Sequence, residues 1–234
     1  MFDCIIIGAT FYGCGIAAGL GGNVLVLEDS VVPGSDWALC FDGGSWDTRL
    51  TVPQAIAFKD ALVSRKALSA DGRLCVAALA PLMAEWCKTH NVKIEFSCSV
   101  IDYDEHGVDA VGVQGPVHYD AARVVDARPK AVNGRKYATG LMVSQENISA
   151  GPCGDFIVTP SSMEGEYYLA LPLDGNADWQ SARSAFHKAW DNRPEVMSGG
   201  FLQLIGTRFS YRNALNPAVA IEKGIMSAKK MVEK

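Results

Sequence analysis

The most regular apolar pattern in the chain lies at residues 3–28, DCIIIGATFYGCGIAAGLGGNVLVLE. Cys4–Ile7 is an unbroken apolar run rich in isoleucine, the pattern of a parallel strand covered on both faces. Gly8 ends it. Phe11–Leu20 reads as a helix whose small residues Gly13, Ala17 and Ala18 let it lie close on a sheet. Residues 23–27 form a second apolar strand, ending at Glu28. Together they make a strand, glycine turn, helix and strand of the size of a βαβ nucleotide fold.

The pattern then changes. Residues 29–52, with Pro33, Gly34, Gly43 and Gly44, read as a long irregular segment, and such loops usually carry function. Residues 54–69 and 74–90 have helical periodicity, the second with Leu79, Leu82, Met83 and Trp86 on one face and Pro81 as a bend or delay. Residues 92–127 read as strands: 92–96, 100–103, 108–113, 117–119 and 123–126, with a turn at 105–107. This predicts a parallel strand, a small antiparallel meander and a return strand. Residues 131–199 are less regular, with strands at 156–158 and 167–171 and a helix at 179–190. A last strand at 201–205 and a last helix at 217–232 close the chain.

Composition narrows the class without changing this outline. The chain has 234 residues, is 49% apolar and carries a net charge of −5. That suits a globular protein with a sizeable core and gives no basic run for a nucleic-acid backbone, so no nucleic-acid partner is expected. The run Cys4–Ile7 is too short for a signal core or a membrane span, so no membrane association is expected. Seven cysteines with no C-x-x-C pair read as buried reduced thiols of a cytoplasmic protein. His90, His106, His118 and His187 show no metal-ligand spacing, so no metal is expected.

Chemistry concentrates first at the glycine turn. A phosphate-cradling turn needs a tight bend after a strand, close backbone approach and a helix N-terminus aimed at the anion. Gly8 and Gly13 hold the first and third glycine positions, with Ala9, Phe11 and Tyr12 completing the cradle. Thr10 stands at the second, where its hydroxyl can donate to a phosphate or hold it farther out. Glu28, twenty residues after Gly8 and followed by Asp29, can accept from ribose hydroxyls and would repel a 2′-phosphate.

On residues 3–28, VKIEFSCSVIDYDEHGVDAVGV, ARVVDARPK and NPAVAIEKGIMSAKKM, the sequence resembles the FAD-dependent oxidoreductases of the glutathione-reductase-like flavoprotein superfamily, in particular short bacterial members with G-A-T-F-x-G openings. The resemblance implies an α/β fold: a Rossmann-like FAD-binding domain with a central parallel sheet and a β-meander, plus a small inserted α+β substrate or cap segment. It divides the chain into a discontinuous FAD-binding domain, 1–130 and 200–234, and a middle segment, 131–199. It implies that backbone near Val100 holds the adenine. It sets Ala127 and Arg128 beside the flavin, where Arg128 and Pro129 replace the usual Thr-Gly. It aims the helix start at Asn216, Pro217 and Ala218 towards the flavin N1–C2=O edge, where amide dipoles stabilise anionic reduced flavin.

The segment SDWALCFDGGSWDTR, 35–49, is the candidate for substrate or flavin contact. Ser35 can meet a phosphate, Trp46 can line a pocket, Asp47 can act as a base and Arg49 can bind a carboxylate. Arg208 and Tyr211, ahead of the last helix, can orient an anionic substrate. These readings predict hydride transfer between bound FAD and a small organic substrate. The alternative is a non-catalytic or partner-dependent flavin-binding subunit, because the middle segment is short for a substrate domain. A homo-oligomer or a partner subunit stays open.

Overall fold

In the computed structural model, which describes residues 1–131 and 135–233, strand β1 (Cys4–Ile7) is buried at every position and has a parallel neighbour on each side. That double coverage explains a run without polar alternation. β2 (Val24–Leu27) flanks one side and β7 (Val124–Asp126) the other, and β3 (Lys93–Glu95) lies beyond β2, giving the order β3-β2-β1-β7.

The two faces of β1 serve different layers. Cys4 and Ile6 join a core with α1 (Phe11–Leu20), α3 (Pro53–Ser64), α4 (Leu79–Thr89) and α6 (Pro217–Val232). Ile5 and Ile7 join a smaller core under the antiparallel meander β4 (Ser99–Tyr103), β5 (Gly107–Gly112) and β6 (Gly115–Asp120). Helices α1 and α6 approach closely enough that a Cβ on Gly224 would stand 2.2 Å from the Tyr12 carbonyl oxygen. Small residues here are a packing requirement. α4 starts later than the periodicity predicts, after a short 3₁₀ turn at Val76–Ala78, and Pro81 falls in its first turn, where proline is tolerated.

The rest of the chain forms a five-stranded antiparallel sheet in the order β12-β8-β11-β10-β9, made of β8 (Arg135–Val143), β9 (Gly151–Cys153), β10 (Phe156–Pro160), β11 (Glu166–Asp174) and β12 (Phe201–Ile205). Helix α5 (Trp179–Asp191) covers one face, where Phe156 and Phe186 pack with ring centroids 5.0 Å apart. On the other face Leu141 and Tyr168 enter the first core. The Tyr168 hydroxyl accepts from the Val76 amide at 2.8 Å and exchanges a hydrogen bond with Ser161, tying the two layers together.

The fold is therefore mixed α/β, with one parallel and two antiparallel sheets. Strand β12, assigned by the resemblance to the chain-end domain, pairs with β8 and belongs to the second sheet. Residues 132–134 of the middle segment, and Lys234, lie outside the described residues. Among the described residues no helix is long and apolar enough to cross a membrane, and no group of three or more His, Cys, Asp or Glu residues could hold a metal ion.

Candidate functional site

The carboxyl ends of β1 and β2 open into a cleft of about 410 Å³. Gly8 turns at φ +100°, and a Cβ there would meet the Arg128 side chain at 3.2 Å. Residue 8 therefore suits glycine on both conformational and steric grounds. Thr10 caps α1 with extended backbone; its hydroxyl accepts from the Gly13 amide at 2.8 Å and donates to the Ala127 carbonyl at 3.1 Å. The hydroxyl read as a phosphate donor is thus committed within the protein, because its single proton already has an acceptor.

Glu28, directly after β2, is a buried carboxylate, 2% exposed, so each of its oxygens needs partners. One oxygen accepts from the Ala9 amide at 2.8 Å; the other accepts from the Ser30 amide, the Ser35 hydroxyl and Arg208 at 3.1, 3.0 and 3.3 Å. Ser35, read as a phosphate contact, braces Glu28 instead. Asp29 is also paired with Arg208. Burial works to raise the Asp29 carboxyl, but the hydrogen bond and the charge of Arg208 hold it below the usual range.

The opposite wall comes from the second sheet and its exit. Trp179, at the start of α5, and Thr207, Phe209 and Tyr211, beyond β12, line the cleft together with Cys98, just before β4, and Ser99 and Val100 of β4. Trp179 and Phe209 pack edge to face at 4.9 Å, and the Lys136 ammonium sits 4.1 Å from the Phe209 ring centroid. Burial pushes the Tyr211 phenol above its ordinary pKa, so at neutral pH it serves as a hydrogen-bond donor, not a base. Burial also raises the Cys40 thiol well above its usual value, which removes it as a thiolate nucleophile.

A second cavity of about 330 Å³ adjoins the first. Thr10, Asp36, Arg128, Pro129 and Tyr211 line both. Tyr12, Ala127, Lys130, Arg212 and Lys223 line the second alone. Arg128 forks onto Asp126 at 2.9 and 3.1 Å, and Lys130 reaches Asp126 at 3.1 Å. Burial alone would raise the Asp126 carboxyl, but these cations hold it far below its ordinary value.

At the junction of the two cavities stands Asp36, which the sequence reading did not single out. Its carboxylate accepts from the Phe11 amide, in the first turn of α1, at 3.1 Å. Burial lifts its carboxyl to about 7 against that hydrogen bond. The sequence signal was thin: one acidic residue in a loop already rich in candidates.

The structure gathers Gly8, Thr10, Glu28, Asp29, Ser35, Val100, Arg128, Arg208 and Tyr211 into the first cavity, and Tyr12 and Ala127 into the second. Ala9, in the turn, and Phe11 and Gly13, in the first turn of α1, are buried, and their amides are taken by Glu28, Asp36 and Thr10. The remaining candidates fall elsewhere. Asn216 caps α6 through Val219 at 2.9 Å and donates to the Ser45 carbonyl at 2.8 Å; it and its neighbours Pro217 and Ala218 are buried and line neither cavity. Trp46 is packed in the main core with its indole N–H on the Gly43 carbonyl at 2.9 Å. Asp47 and Arg49 are exposed and line neither cavity. A binding loop predicted from 35–49 is thus half structural: its first residues reach the cleft, and its later ones cover the start of α6.

Comparison with known proteins bears on the fold. No protein-family model matches the chain, and no curated protein sequence matches it. Among solved structures it is similar to CabE, an aromatic hydroxylase from angucycline biosynthesis, with a TM-score of 0.54 and 14% identity over 88% of this chain and 51% of that one. It is similar to p-nitrophenol 4-monooxygenase PnpA from Pseudomonas putida DLL-E4, at 0.54 and 13% over 100% of this chain and 79% of that one. The myxobacterial chondrochloren halogenase CndH, an FAD-dependent halogenase, matches at 0.56 and 12% over 98% of this chain and 72% of that one. The chain spans 51% of the CabE chain and 61% of the AlpK chain, which it also matches. At these identities the likeness is one of fold, and the chain's mixed α/β architecture is similar to that of these proteins.

Proposed function

We propose that the chain is a flavoprotein of the FAD-dependent oxidoreductase class, with a Rossmann-like arrangement of β1, α1 and β2 and the adenosine end of the cofactor in the first cavity. The observation that carries this reading is the meeting of Gly8, Glu28 and Val100 in one cleft at the strand ends of a parallel sheet. Ligands of open α/β sheets bind at such strand ends. The fit is good on the adenosine side: Gly8 leaves backbone bare, Glu28 and Asp29 offer carboxylates to ribose hydroxyls, and Val100 and Leu27 line a base-sized space. It also supports a flavoprotein that a FAD-dependent halogenase shares the architecture.

FAD would supply hydride acceptance or donation. The chain's own residues would do the rest. Arg208 would hold the two carboxylates at the end of β2 in place by pairing with both. Arg128, Lys130, Arg212 and Lys223 make the second cavity suitable for a small anionic organic molecule. Tyr211, which lines both cavities, would donate a hydrogen bond to a ligand at their boundary. The edge-to-face pair of Trp179 and Phe209 would give the first cavity an apolar surface.

A second reading has its own support. The start of α6 is covered by the chain's own Ser45 segment, so a partner-dependent subunit, in which another chain repositions that loop, accounts for the buried Asn216. Anaerobic titration of the FAD-reconstituted protein with small carboxylic acids, phenols and nicotinamide nucleotides tests both. Loss of flavin absorbance with the chain alone supports the enzyme. Bleaching only in the presence of a second protein supports the subunit.

A further inference from the structure

The two cavities meet at the N-terminus of α1, where a dinucleotide's diphosphate would pass, and that position already holds a negative group. We propose that Asp36 is a built-in competitor for the diphosphate: its carboxylate holds the α1 amide in the empty protein, and a dinucleotide binds by neutralising or displacing it. This rests on the reading of the cleft as a dinucleotide site. It goes beyond that reading because the residue sets when the cleft accepts its ligand.

The geometry is specific. The amide of Phe11 donates to Asp36 at 3.1 Å, while neighbouring amides of the same turn are taken by Glu28 and Thr10. Asp36 therefore does at α1 what an anionic ligand does at a helix N-terminus, satisfying an amide and meeting the positive end of the dipole. It lines both cavities, so a ligand running through the junction passes against it. A diphosphate brought to an ionised Asp36 would meet a like charge in a partly desolvated site.

The surroundings fix the direction of the pH effect. Glu28, from the end of β2, adds negative charge, and Arg208, from the second sheet's exit, offsets it. From α1 the Cys14 thiol faces it, and from the turn after α2 (Ser35–Ala38) the Cys40 thiol; both are raised well above their usual values and stay neutral. Across the junction stand Arg128 and Lys130, both paired with Asp126, Arg212, paired with Asp42, and Lys223, with Tyr211 protonated. Protonating Asp36 removes one negative charge from the junction and so lowers the repulsion that a diphosphate meets there.

The test is calorimetric titration of the wild-type chain and of Asp36→Asn with FAD, ADP-ribose and adenosine at pH 6 and pH 8. FAD and ADP-ribose carry the diphosphate as a diester that does not titrate between these values; adenosine has none. Wild type should bind FAD and ADP-ribose about tenfold more tightly at pH 6 than at pH 8, the ratio of the protonated fractions of a carboxyl that titrates at about 7. Asp36→Asn should bind both about tenfold more tightly than wild type at pH 8 and lose most of the pH dependence, with adenosine unchanged. Asp36→Ala, which has no carboxylate or amide, should show the same gain, separating charge from side-chain shape. Equal affinity of all three chains for FAD at pH 8 overturns the role of Asp36 while leaving the dinucleotide site standing. Failure of wild type and both variants to bind any of the three ligands overturns the site itself.

Discussion

Arg208 reaches from beyond β12 to Glu28 at the end of β2, placing a guanidinium 3.3 Å from a carboxylate that is 2% exposed. The pair joins the antiparallel sheet's exit to the parallel sheet. It also makes Glu28 a structural residue as much as a ligand-facing one, since two amides and the Ser35 hydroxyl converge on the same carboxylate.

Glu28→Ala is therefore expected to cost stability as well as ligand affinity. Removing one member of a buried charged network leaves its donors unpaired, at a cost of about 3–5 kcal/mol. Chemical denaturation followed by circular dichroism should show the loss. Unchanged stability would mean that the four hydrogen bonds contribute little.

Gly8→Val should fail on two counts. The φ of +100° is strained for any side chain, at roughly 1–3 kcal/mol, and the new Cβ would press on Arg128. A lowered thermal midpoint and loss of FAD binding are expected together. Retention of full FAD binding would contradict the placement of the ligand over this turn.

Asp36 also makes a prediction about stability alone. Its folded carboxyl titrates near 7, raised from an ordinary 3.8, so the native state holds a proton that the unfolded chain gives up between those values. Stability should fall as pH rises from about 4 to about 7, and the loss should be complete above the folded value. Asp36→Asn should remove that slope. Thermal melts across this range check it, and an identical slope in both chains would exclude Asp36 as its source.

Asn216→Ala should destabilise by about 1–2 kcal/mol, because it removes both the cap on Val219 and the clip to Ser45. Equilibrium unfolding measures this. A negligible change would show that the helix start is held by the packing of Pro217 and Ala218 alone.

The pieces legible in the sequence are those whose burial is written in a local pattern. Cys4–Ile7 is apolar throughout because both faces are covered, and α1 is marked by small residues because α6 lies against it. β8 was not legible. Arg135–Val143, RKYATGLMV, mixes charge, glycine and apolar residues, and its burial comes from neighbours far away in sequence, with β11 on one side and β12 on the other. Lys136 is buried although charged, because its stem packs inward while its ammonium rests over Phe209. The glycine turn and Glu28 announced a ligand cleft. Asp36 did not, since its reach to Phe11 depends on how the loop folds back over α1. Trp46 was read as a pocket residue on chemistry alone, and its indole belongs to the core.

The central claim is that the cleft at Gly8 and Glu28 holds an adenine dinucleotide with its flavin. Equilibrium dialysis of the purified chain against FAD at pH 6, followed by absorbance of the retained flavin, tests it most directly. One FAD retained per chain, displaced competitively by ADP-ribose, is the predicted result. A colourless chain that retains no FAD at pH 6 or at pH 8 would contradict the claim.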